Sequence, residues 1–171
     1  FSYYNDYGYS NFCLFMACLY TGFWIINIFY GRIFLGDAGA LSSGLLVGWL
    51  GVCLIYNNQN ISPWGVFLTI IYPATELVYS VFRRLLNRKS PFKPDNLHMH
   101  TLLFLLLEKK LNKSSKLFIN SLTGLILVLF GTFPGIINSY FLGKFPNVFY
   151  FIFIFVLIYI LINIYLIKLK R

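Results

Sequence analysis

Ionisable side chains that could carry out chemistry are few in this sequence, so their positions are informative. Only five acidic residues and two histidines occur among 171 residues. The acidic residues are Asp6, Asp37, Glu76, Asp95 and Glu108, and the histidines are His98 and His100. Carboxylates hold Mg²⁺ together with phosphate oxygens, and imidazoles bind phosphate or transfer protons. These groups are therefore the first candidates for a catalytic or binding role.

Asp37 lies in the segment FLGDAG, with Gly36 before it and Gly39 two residues after it. Glycines beside an acid allow the backbone to approach a ligand closely, and the carboxylate could hold Mg²⁺ with phosphate oxygens in the remaining positions. Asp is also favoured as a cap at the start of a helix, where it complements the helix dipole. The spacing leaves both roles open, and the two can coexist.

The segment SPFKPDNLHMH, which ends at His100, is the second candidate region. His98 and His100 are two residues apart, so their imidazoles point the same way only in an extended or loop conformation. They could bind phosphate, act as acid or base, or ligate a transition metal, although one distant acid leaves such a metal site short of ligands. Taken alone, the residues favour a solvated basic loop near anionic lipid.

Glu76 lies inside an apolar segment, where an ionisable group is costly and is functional by default. Arg83 follows seven residues later, two helical turns along the same face, and could neutralise it. The sequence therefore favours a structural tether from Glu76 to an arginine or a tyrosine. Arg83 and Arg84 lie at the end of this segment, where they could extend toward the headgroups or bind a lipid phosphate.

The elements that must position these residues are membrane helices. The chain is 58% hydrophobic and 11% charged, whereas soluble domains are nearer half apolar and a quarter charged. This composition excludes a cytosolic globule, a disordered chain and a nucleic-acid-binding module, in spite of the net charge of +9. We expect an all-α polytopic protein in a lipid bilayer, folded as a single membrane domain over residues 1–171, with no nucleic-acid partner.

Five apolar segments are long enough, or nearly so, to cross a bilayer as helices. They do not alternate polar and apolar residues, so barrel strands are excluded. A sixth, shorter segment, Thr101–Leu111, predicts an interfacial helix. Pro73 should kink the third span, and Pro134 should end the fourth. The predicted spans are Asn11–Tyr30, Ala40–Tyr56, Trp64–Phe82, Leu117–Ile137 and Val148–Ile167.

Basic residues indicate the topology. The loop 83–116 holds most of them, and more follow at the C-terminus, so both regions are predicted to be cytoplasmic. Five spans then put the N-terminus of the chain outside and the loop 31–39 on the cytoplasmic side. Asp37, Asp95 and both histidines therefore share one face of the membrane, where we expect Asp37 to meet His98 and His100.

Two motifs in order, with one span between them, carry a resemblance to a known family. FLGDAG, followed by PATE, RR and KSPFKPDNLHMH, resembles the C-terminal half of the polyprenyl-phosphate N-acetylhexosamine-1-phosphate transferases, which are related to the phospho-N-acetylmuramoyl-pentapeptide translocase. The resemblance covers residues 30–105. It implies a bacterial inner-membrane enzyme that starts lipid-linked cell-envelope polysaccharide synthesis.

The resemblance also implies chemistry and site residues. Such enzymes are Mg²⁺-dependent phosphoglycosyltransferases that move a sugar-1-phosphate from a UDP-N-acetylhexosamine to undecaprenyl phosphate and release UMP. By this resemblance Asp37 is a catalytic and Mg²⁺-binding residue, within the motif that Gly36 and Gly39 shape. His98 and His100 are catalytic residues that contact the donor phosphates. The remaining phosphate-binding candidates are Arg83, Arg84, Lys93 and Asp95.

The sequence also departs from the family pattern. Ala40, Thr101 and Glu76 replace the usual Ser, His and Asp. The acidic motifs of the N-terminal half have no counterpart in residues 1–30, so we expect a fragment that is inactive without that missing half. The alternative is a non-enzymatic polytopic membrane protein, either a transporter remnant or a scaffold whose basic loop binds anionic lipid.

Overall fold

The computed structural model describes residues 5–31, 35–91, 95–112, 114–140 and 148–170. Within these residues the chain forms α-helices and one 3₁₀ turn and contains no β-strand. The all-α prediction is therefore confirmed. The helices are α1 Tyr7–Tyr30, α2 Gly36–Asn57, α3 Pro63–Phe67, α4 Ile71–Leu86, α5 Met99–Lys110, α6 Lys116–Tyr140 and α7 Val148–Lys170.

Five helical stretches among the described residues are long and apolar enough to cross a membrane. Four are the helices α1, α2, α6 and α7, and the fifth is Pro63–Leu86, which joins α3, the 3₁₀ turn and α4. Each has 22 to 25 residues, and a rise of about 1.5 Å per residue makes such a helix long enough for the hydrocarbon core. The chain is a multi-pass membrane protein, as the sequence predicts.

The chain divides into two compact units, Phe1–Pro63 and Trp64–Arg171. In the first unit, α1 and α2 contact each other through polar and aromatic side chains. The Tyr20 hydroxyl and Ser43 Oγ lie 2.6 Å apart, and Tyr9 packs edge-on against Trp49. Neither helix has a buried residue. Their apolar side chains are therefore left for lipid or for other protein.

The second unit has a buried core. α5 packs against α6 and α7, and α4 contacts both of these long helices. The helix predicted within the basic loop is confirmed as α5, and its buried Met99 and Leu102 pack with Tyr159 and Leu166 of α7. A second cluster joins the 3₁₀ turn to α7. It consists of Leu68, Ile71, Val148 and Phe155.

The two intramembrane prolines behave differently. Pro73 lies in the first turn of α4, directly after the 3₁₀ turn Leu68–Ile70. Proline cannot donate a hydrogen bond to the carbonyl four residues earlier. The kink predicted for the third span is therefore present as a 3₁₀ turn that interrupts the α-helix. The prediction that Pro134 ends the fourth span is wrong, because α6 continues to Tyr140 with Pro134 buried inside it. The continued helix places Asn138 where its amide donates to the Gly65 carbonyl at 2.9 Å.

Candidate functional site

Asp37 lies in the first turn of α2, which begins at Gly36, four residues before the predicted start. The residue before the helix is Leu35, and no side chain caps it. The hypothesis that Asp37 caps the helix by a hydrogen bond is therefore wrong, although its charge still complements the helix dipole. The carboxylate is exposed and makes no hydrogen bond or ion pair with another described residue.

The two glycines of this motif have structural reasons to be glycine. Gly36 has φ +70°, a left-handed conformation that side chains disfavour. A Cβ at Gly39 would lie 2.6 Å from Cγ of Leu35, so Gly39 leaves room for the Leu35 side chain. Together they set the turn that begins α2 and presents Asp37 at the start of the helix.

The histidines lie at the start of α5, in the second unit. His98 precedes the helix in an extended conformation, and its ring stacks on that of His100, with the centroids 5.7 Å apart and the planes at 10°. The two imidazoles therefore point the same way, as the extended reading of this segment requires. His98 Nδ1 lies 3.0 Å from Glu76 Oε1 and 3.4 Å from Ser80 Oγ.

His100 lines a cavity of about 430 Å³ between α5 and α6, with Thr101, Asn120 and Thr123 among its walls. Burial is the main cause that lowers the pKa of His100, and the electrostatic effect of neighbouring His98 lowers it further. The opposing charge of Glu76 is the smaller effect. His100 therefore favours the neutral form more than a free histidine does, and a neutral imidazole accepts one hydrogen bond and donates another.

Arg83 and Arg84, at the end of α4, are bound to Asp95. Arg83 Nη2 lies 2.5 Å and Arg84 Nε 3.3 Å from the same oxygen, Asp95 Oδ2, and all three side chains are largely buried. Arg83 also donates to the Leu97 carbonyl at 2.8 Å and Arg84 to the Pro91 carbonyl. These contacts attach the loop between α4 and α5 to the end of α4, at Pro91 on one side and at Asp95 and Leu97 on the other.

The predicted tether of Glu76 is confirmed in one of its two forms. Arg83 pairs with Asp95, so a Glu76–Arg83 pair is wrong. Glu76 Oε2 instead accepts a hydrogen bond from the Tyr159 hydroxyl at 2.8 Å. The sequence pattern put Glu76 and Arg83 on one face of α4, but Asp95 comes from the loop and approaches Arg83 more closely.

Asp95 stays ionised in this setting. Burial on its own would raise the pKa of Asp95, but hydrogen bonds and charge from Arg83, a hydrogen bond from Arg84 and the Leu97 amide outweigh it and lower the pKa. The carboxylate therefore holds the two arginines at any pH near neutrality.

A basic cavity of about 750 Å³ opens beside this pair of arginines. Four cationic side chains and one carboxylate line it, so its net charge is positive. Arg83 and Arg84 are held by Asp95, whereas Arg88 and Lys89 are exposed and have no acidic partner among the described residues. The charged lining residues are Arg83, Arg84, Arg88, Lys89 and Asp95.

The backbone conformation at the C-terminal end of α4 places Arg88 and Lys89 at this cavity. Lys89 N–H donates to the Arg84 carbonyl and Arg88 N–H to the Leu85 carbonyl, the pattern of a Schellman motif. Arg88 has φ +53°, at the position where glycine is usual. In the sequence both residues indicate topology, and Lys89 also begins the motif KSPFKPDNLHMH, but neither is among the predicted site residues. The sequence feature that could have indicated a binding role is a pair of adjacent basic residues at the point where a helix ends.

An apolar groove of about 450 Å³ lies along α4 and α7 and adjoins the basic cavity. Its walls are aliphatic and aromatic along most of its length, and Tyr79 and Arg83 line both the groove and the basic cavity. The guanidinium of Arg83 lies over the Tyr79 ring, 5.3 Å from its centroid. An amphiphile with one anionic end and a long apolar chain matches this pair of surfaces.

The donor set for a metal ion on this chain is partial. Among the described residues there is no group of three or more His, Cys, Asp or Glu side chains able to hold an ion. Mg²⁺ is commonly held by one or two carboxylates together with substrate phosphates. Asp37 fits that mode as one of the carboxylates, and further ligands must come from phosphate or from residues beyond this set.

Several curated proteins are similar to part of this chain. The undecaprenyl-phosphate alpha-N-acetylglucosaminyl 1-phosphate transferase of Pasteurella multocida is 31% identical over 105 residues, which are 57% of this chain and 29% of that protein. Proteins of the same name from Haemophilus influenzae and Escherichia coli K12 are 33% and 36% identical over 76 residues, or 42% of this chain.

Over about half of its length, this chain is similar to these transferases. The resemblance found in the sequence motifs is thereby confirmed for that part. The matched segments make up 20 to 29% of the relatives' length. No family model matches the chain, and no solved structure does.

The structure brings together some of the predicted site residues. In the second unit, Arg83, Arg84 and Asp95 form one ion-paired group, and His98 and His100 form one stacked pair. Asp37 belongs to the first unit, so its meeting with the histidines stays a prediction. Lys93 lies outside the described residues. The sequence alone did not identify Tyr159, which bonds to Glu76, or Asn163, which bonds to Tyr159. The feature that could have indicated them is that both are polar residues within the most apolar span.

Proposed function

We propose that this chain is part of a polyprenyl-phosphate sugar-1-phosphate transferase of the bacterial inner membrane. In the proposed reaction, an oxygen of undecaprenyl phosphate attacks the sugar-bearing phosphorus of a UDP-N-acetylhexosamine. A new P–O–P bond forms, the bond between the two phosphates of the donor breaks, and UMP leaves with the electron pair. Catalysis of this kind consists mainly of positioning and charge neutralisation.

The observation that carries the proposal is the apolar groove that adjoins the basic cavity at Tyr79 and Arg83. A polyprenyl phosphate has one anionic head and a long hydrocarbon tail. The groove would take part of the tail, and the cavity would take the phosphate. The similarity to the transferases whose names contain undecaprenyl phosphate supports the same ligand.

Each candidate residue has a role in this proposal. Asp37 supplies a carboxylate for Mg²⁺, which when bound neutralises phosphate charge and orients the phosphates. His98 and His100 contact the donor phosphates. Arg88 and Lys89 bind the anionic head, with Lys93 nearby in sequence, while Arg83 and Arg84 line the cavity and Asp95 holds them in place. We further propose that the loops bearing these residues are cytoplasmic.

Ligand binding by the purified 171-residue chain tests the proposal. Thermal unfolding in detergent is measured with undecaprenyl phosphate, with undecaprenol and with phosphatidylglycerol. We expect a rise in Tm with undecaprenyl phosphate, because a ligand at about 100 times its Kd stabilises by about 2.7 kcal/mol. The alcohol, which has the same tail and no phosphate, gives a smaller rise.

A matched variant isolates the phosphate-binding part. Arg88→Gln combined with Lys89→Gln removes the two exposed cations, so the rise with undecaprenyl phosphate falls to that with undecaprenol. Equal rises in Tm with undecaprenyl phosphate and with undecaprenol in the unaltered chain would refute phosphate binding in the basic cavity. An equal shift with phosphatidylglycerol would favour the alternative, a scaffold that binds anionic lipid.

We also propose that the 171-residue chain does not turn over on its own. Asp37 is one carboxylate, and the described residues contain no cluster able to complete a metal site, whereas two phosphoryl groups and Mg²⁺ need more acidic ligands. The measurement is UMP release from UDP-N-acetylglucosamine by the purified chain. Detectable release that depends on undecaprenyl phosphate would contradict this part alone.

A further inference from the structure

Glu76 is the centre of a polar network that links three parts of the second unit. Its Oε1 lies 3.0 Å from His98 Nδ1 and accepts a hydrogen bond from the Met99 amide at 3.2 Å. Its Oε2 accepts from the Tyr159 hydroxyl at 2.8 Å. The carboxylate is 16% exposed. Glu76 on α4 thus connects the start of α5 to α7, and both of its oxygens are occupied.

We propose that Glu76 is a positioning residue that keeps the proton of His98 on Nδ1 and so leaves Nε2 as the nitrogen available to a ligand. The role of Nε2 toward phosphate rests on the proposed function. The assignment of the proton to Nδ1 rests only on the contacts of Glu76.

The hydrogen-bonding capacity of a carboxylate gives the direction of this control. An ionised carboxylate only accepts hydrogen bonds, so a contact of 3.0 Å with His98 Nδ1 requires a hydrogen on that nitrogen. The bond made by one ring nitrogen decides which tautomer a histidine adopts. Ser80 Oγ is the other neighbour of Nδ1, at 3.4 Å, and a hydroxyl at that distance is the weaker partner.

The orientation of Glu76 is fixed in turn. Tyr159 is fully buried and bonds to Oε2, which prevents the carboxylate from rotating away from His98. Asn163, also fully buried, donates to the Tyr159 hydroxyl at 3.3 Å. Because the second acceptor bond of Oε1 comes from the Met99 amide, the same carboxylate fixes the backbone next to His98. His98 is therefore held at its ring and at its backbone.

The stacked arrangement of the rings fits this function. His98 and His100 lie nearly parallel, and the His98 side chain keeps 30% of its surface exposed. With Nδ1 in contact with Glu76, Nε2 is the ring nitrogen left for a ligand. When protonated, Nε2 donates to a phosphate oxygen, and when neutral it accepts a proton.

Nitrogen-15 NMR of the histidine side chains tests the inference directly, because the chain has only two histidines. The purified chain is labelled with ¹⁵N-histidine in detergent and measured from acidic to alkaline pH, and His100→Gln assigns the two rings. We expect neutral His98 to carry its proton on Nδ1. A neutral His98 that carries its proton on Nε2 would overturn the inference, whatever any assay of transfer shows.

Variants separate the positioning role from a general structural role. Glu76→Leu removes both acceptor oxygens at similar size, so we expect loss of the Nδ1 preference of His98. Ser80→Ala removes the longer contact, and we expect the preference to persist. An unchanged tautomer in Glu76→Leu, or a change in Ser80→Ala alone, would contradict the inference.

Glu76→Gln keeps the proposal testable should Glu76→Leu not fold. The amide oxygen of Gln still accepts from Nδ1 and keeps the shape, so the preference should survive in weakened form. Failure of the transferase proposal is read separately, from the absence of UMP release by the complete protein, since the NMR measurement contains no substrate.

Discussion

The two units of this chain satisfy their polar groups in different ways. In Trp64–Arg171 the carboxylates of Glu76 and Asp95 both have polar partners, since Glu76 contacts His98 and Tyr159 and Asp95 binds two arginines. In Phe1–Pro63 the Asp37 carboxylate is exposed at a helix start without a partner among the described residues. Neither α1 nor α2 has a buried residue.

This difference separates side chains that are already fixed by contacts within their own unit from the Asp37 carboxylate, which is free to bind a ligand. A charge that is paired in its own unit costs less to keep near the membrane than an unpaired charge does. An exposed carboxylate followed by a glycine with a specific packing role is available to a cation or to other protein. We infer that the second unit provides a preformed anion-binding surface, whereas Asp37 acts only when phosphate and further ligands are present.

The largest effect is expected at Asp37, where Asp37→Asn in the complete protein tests the unpaired carboxylate. Losing a charge that neutralises phosphate should lower UMP release by about a thousandfold, with membrane insertion unchanged. Asp6→Asn is the control, because the Asp6 carboxylate accepts a hydrogen bond from the Asn58 amide and lies outside the predicted site. Turnover at the unaltered rate in Asp37→Asn would remove the catalytic role of Asp37.

The paired carboxylate of the second unit should behave oppositely, as a stabilising group. Asp95→Asn leaves two largely buried guanidinium groups unpaired and should cost about 3 kcal/mol of stability, measured as a fall in Tm. Glu108→Gln is the control, because its partner Lys116 is 84% exposed and such pairs contribute about 0.5 kcal/mol. Equal effects of the two changes would contradict the contrast.

The lowered pKa of Asp95 adds a pH dependence to the same prediction. Because the folded pKa lies below the unfolded value of about 3.9, the stabilisation is complete above that value and is lost as pH falls through the folded pKa. The Tm of the unaltered chain should therefore fall in strongly acidic buffer. Asp95→Asn should lack this part of the acid sensitivity.

A smaller effect is expected at Asn138, a buried amide that joins α6 to α3. Asn138→Ala leaves the Gly65 carbonyl without its donor and should lower stability by about 1.5 kcal/mol. Ser139→Ala is the control, because its hydroxyl is exposed and bonds within its own helix. A Tm shift no larger than that of the control would show that this contact does not stabilise the second unit.

The smallest predicted effect has two signs. Arg88→Gly relieves the left-handed backbone at the end of α4 and should raise stability by about 1 kcal/mol. It also removes a cation from the basic cavity, so binding of undecaprenyl phosphate should weaken by about 1 kcal/mol. Asn87→Gly gives no such relief of strain, since Asn87 has φ −89°. Unchanged binding in Arg88→Gly would exclude Arg88 from the anion site.

The sequence predicts the spans well because membrane helices depend on long apolar runs, and Val148–Lys170 is such a run. The spacing of His98 and His100 also predicts that their rings point the same way, as they do, whereas the role of Asp37 stays a prediction. The sequence does not predict which charges pair. Arg83 has two possible acidic partners, Glu76 on its own helix and Asp95 on a loop, and the packing of the loop decides between them. Nor does it predict Tyr159 as the partner of Glu76, since a contact between α4 and α7 joins residues that are 83 positions apart.

Product formation by the complete protein tests the central claim most directly. Membranes containing it are incubated with UDP-N-acetylglucosamine labelled in the sugar, with and without undecaprenyl phosphate and Mg²⁺. Our account predicts that UMP and a labelled diphospho-lipid form in equal amounts, and only when undecaprenyl phosphate is present. UMP that forms without the lipid, or the absence of both products, would contradict the assignment of this chain to sugar-1-phosphate transfer.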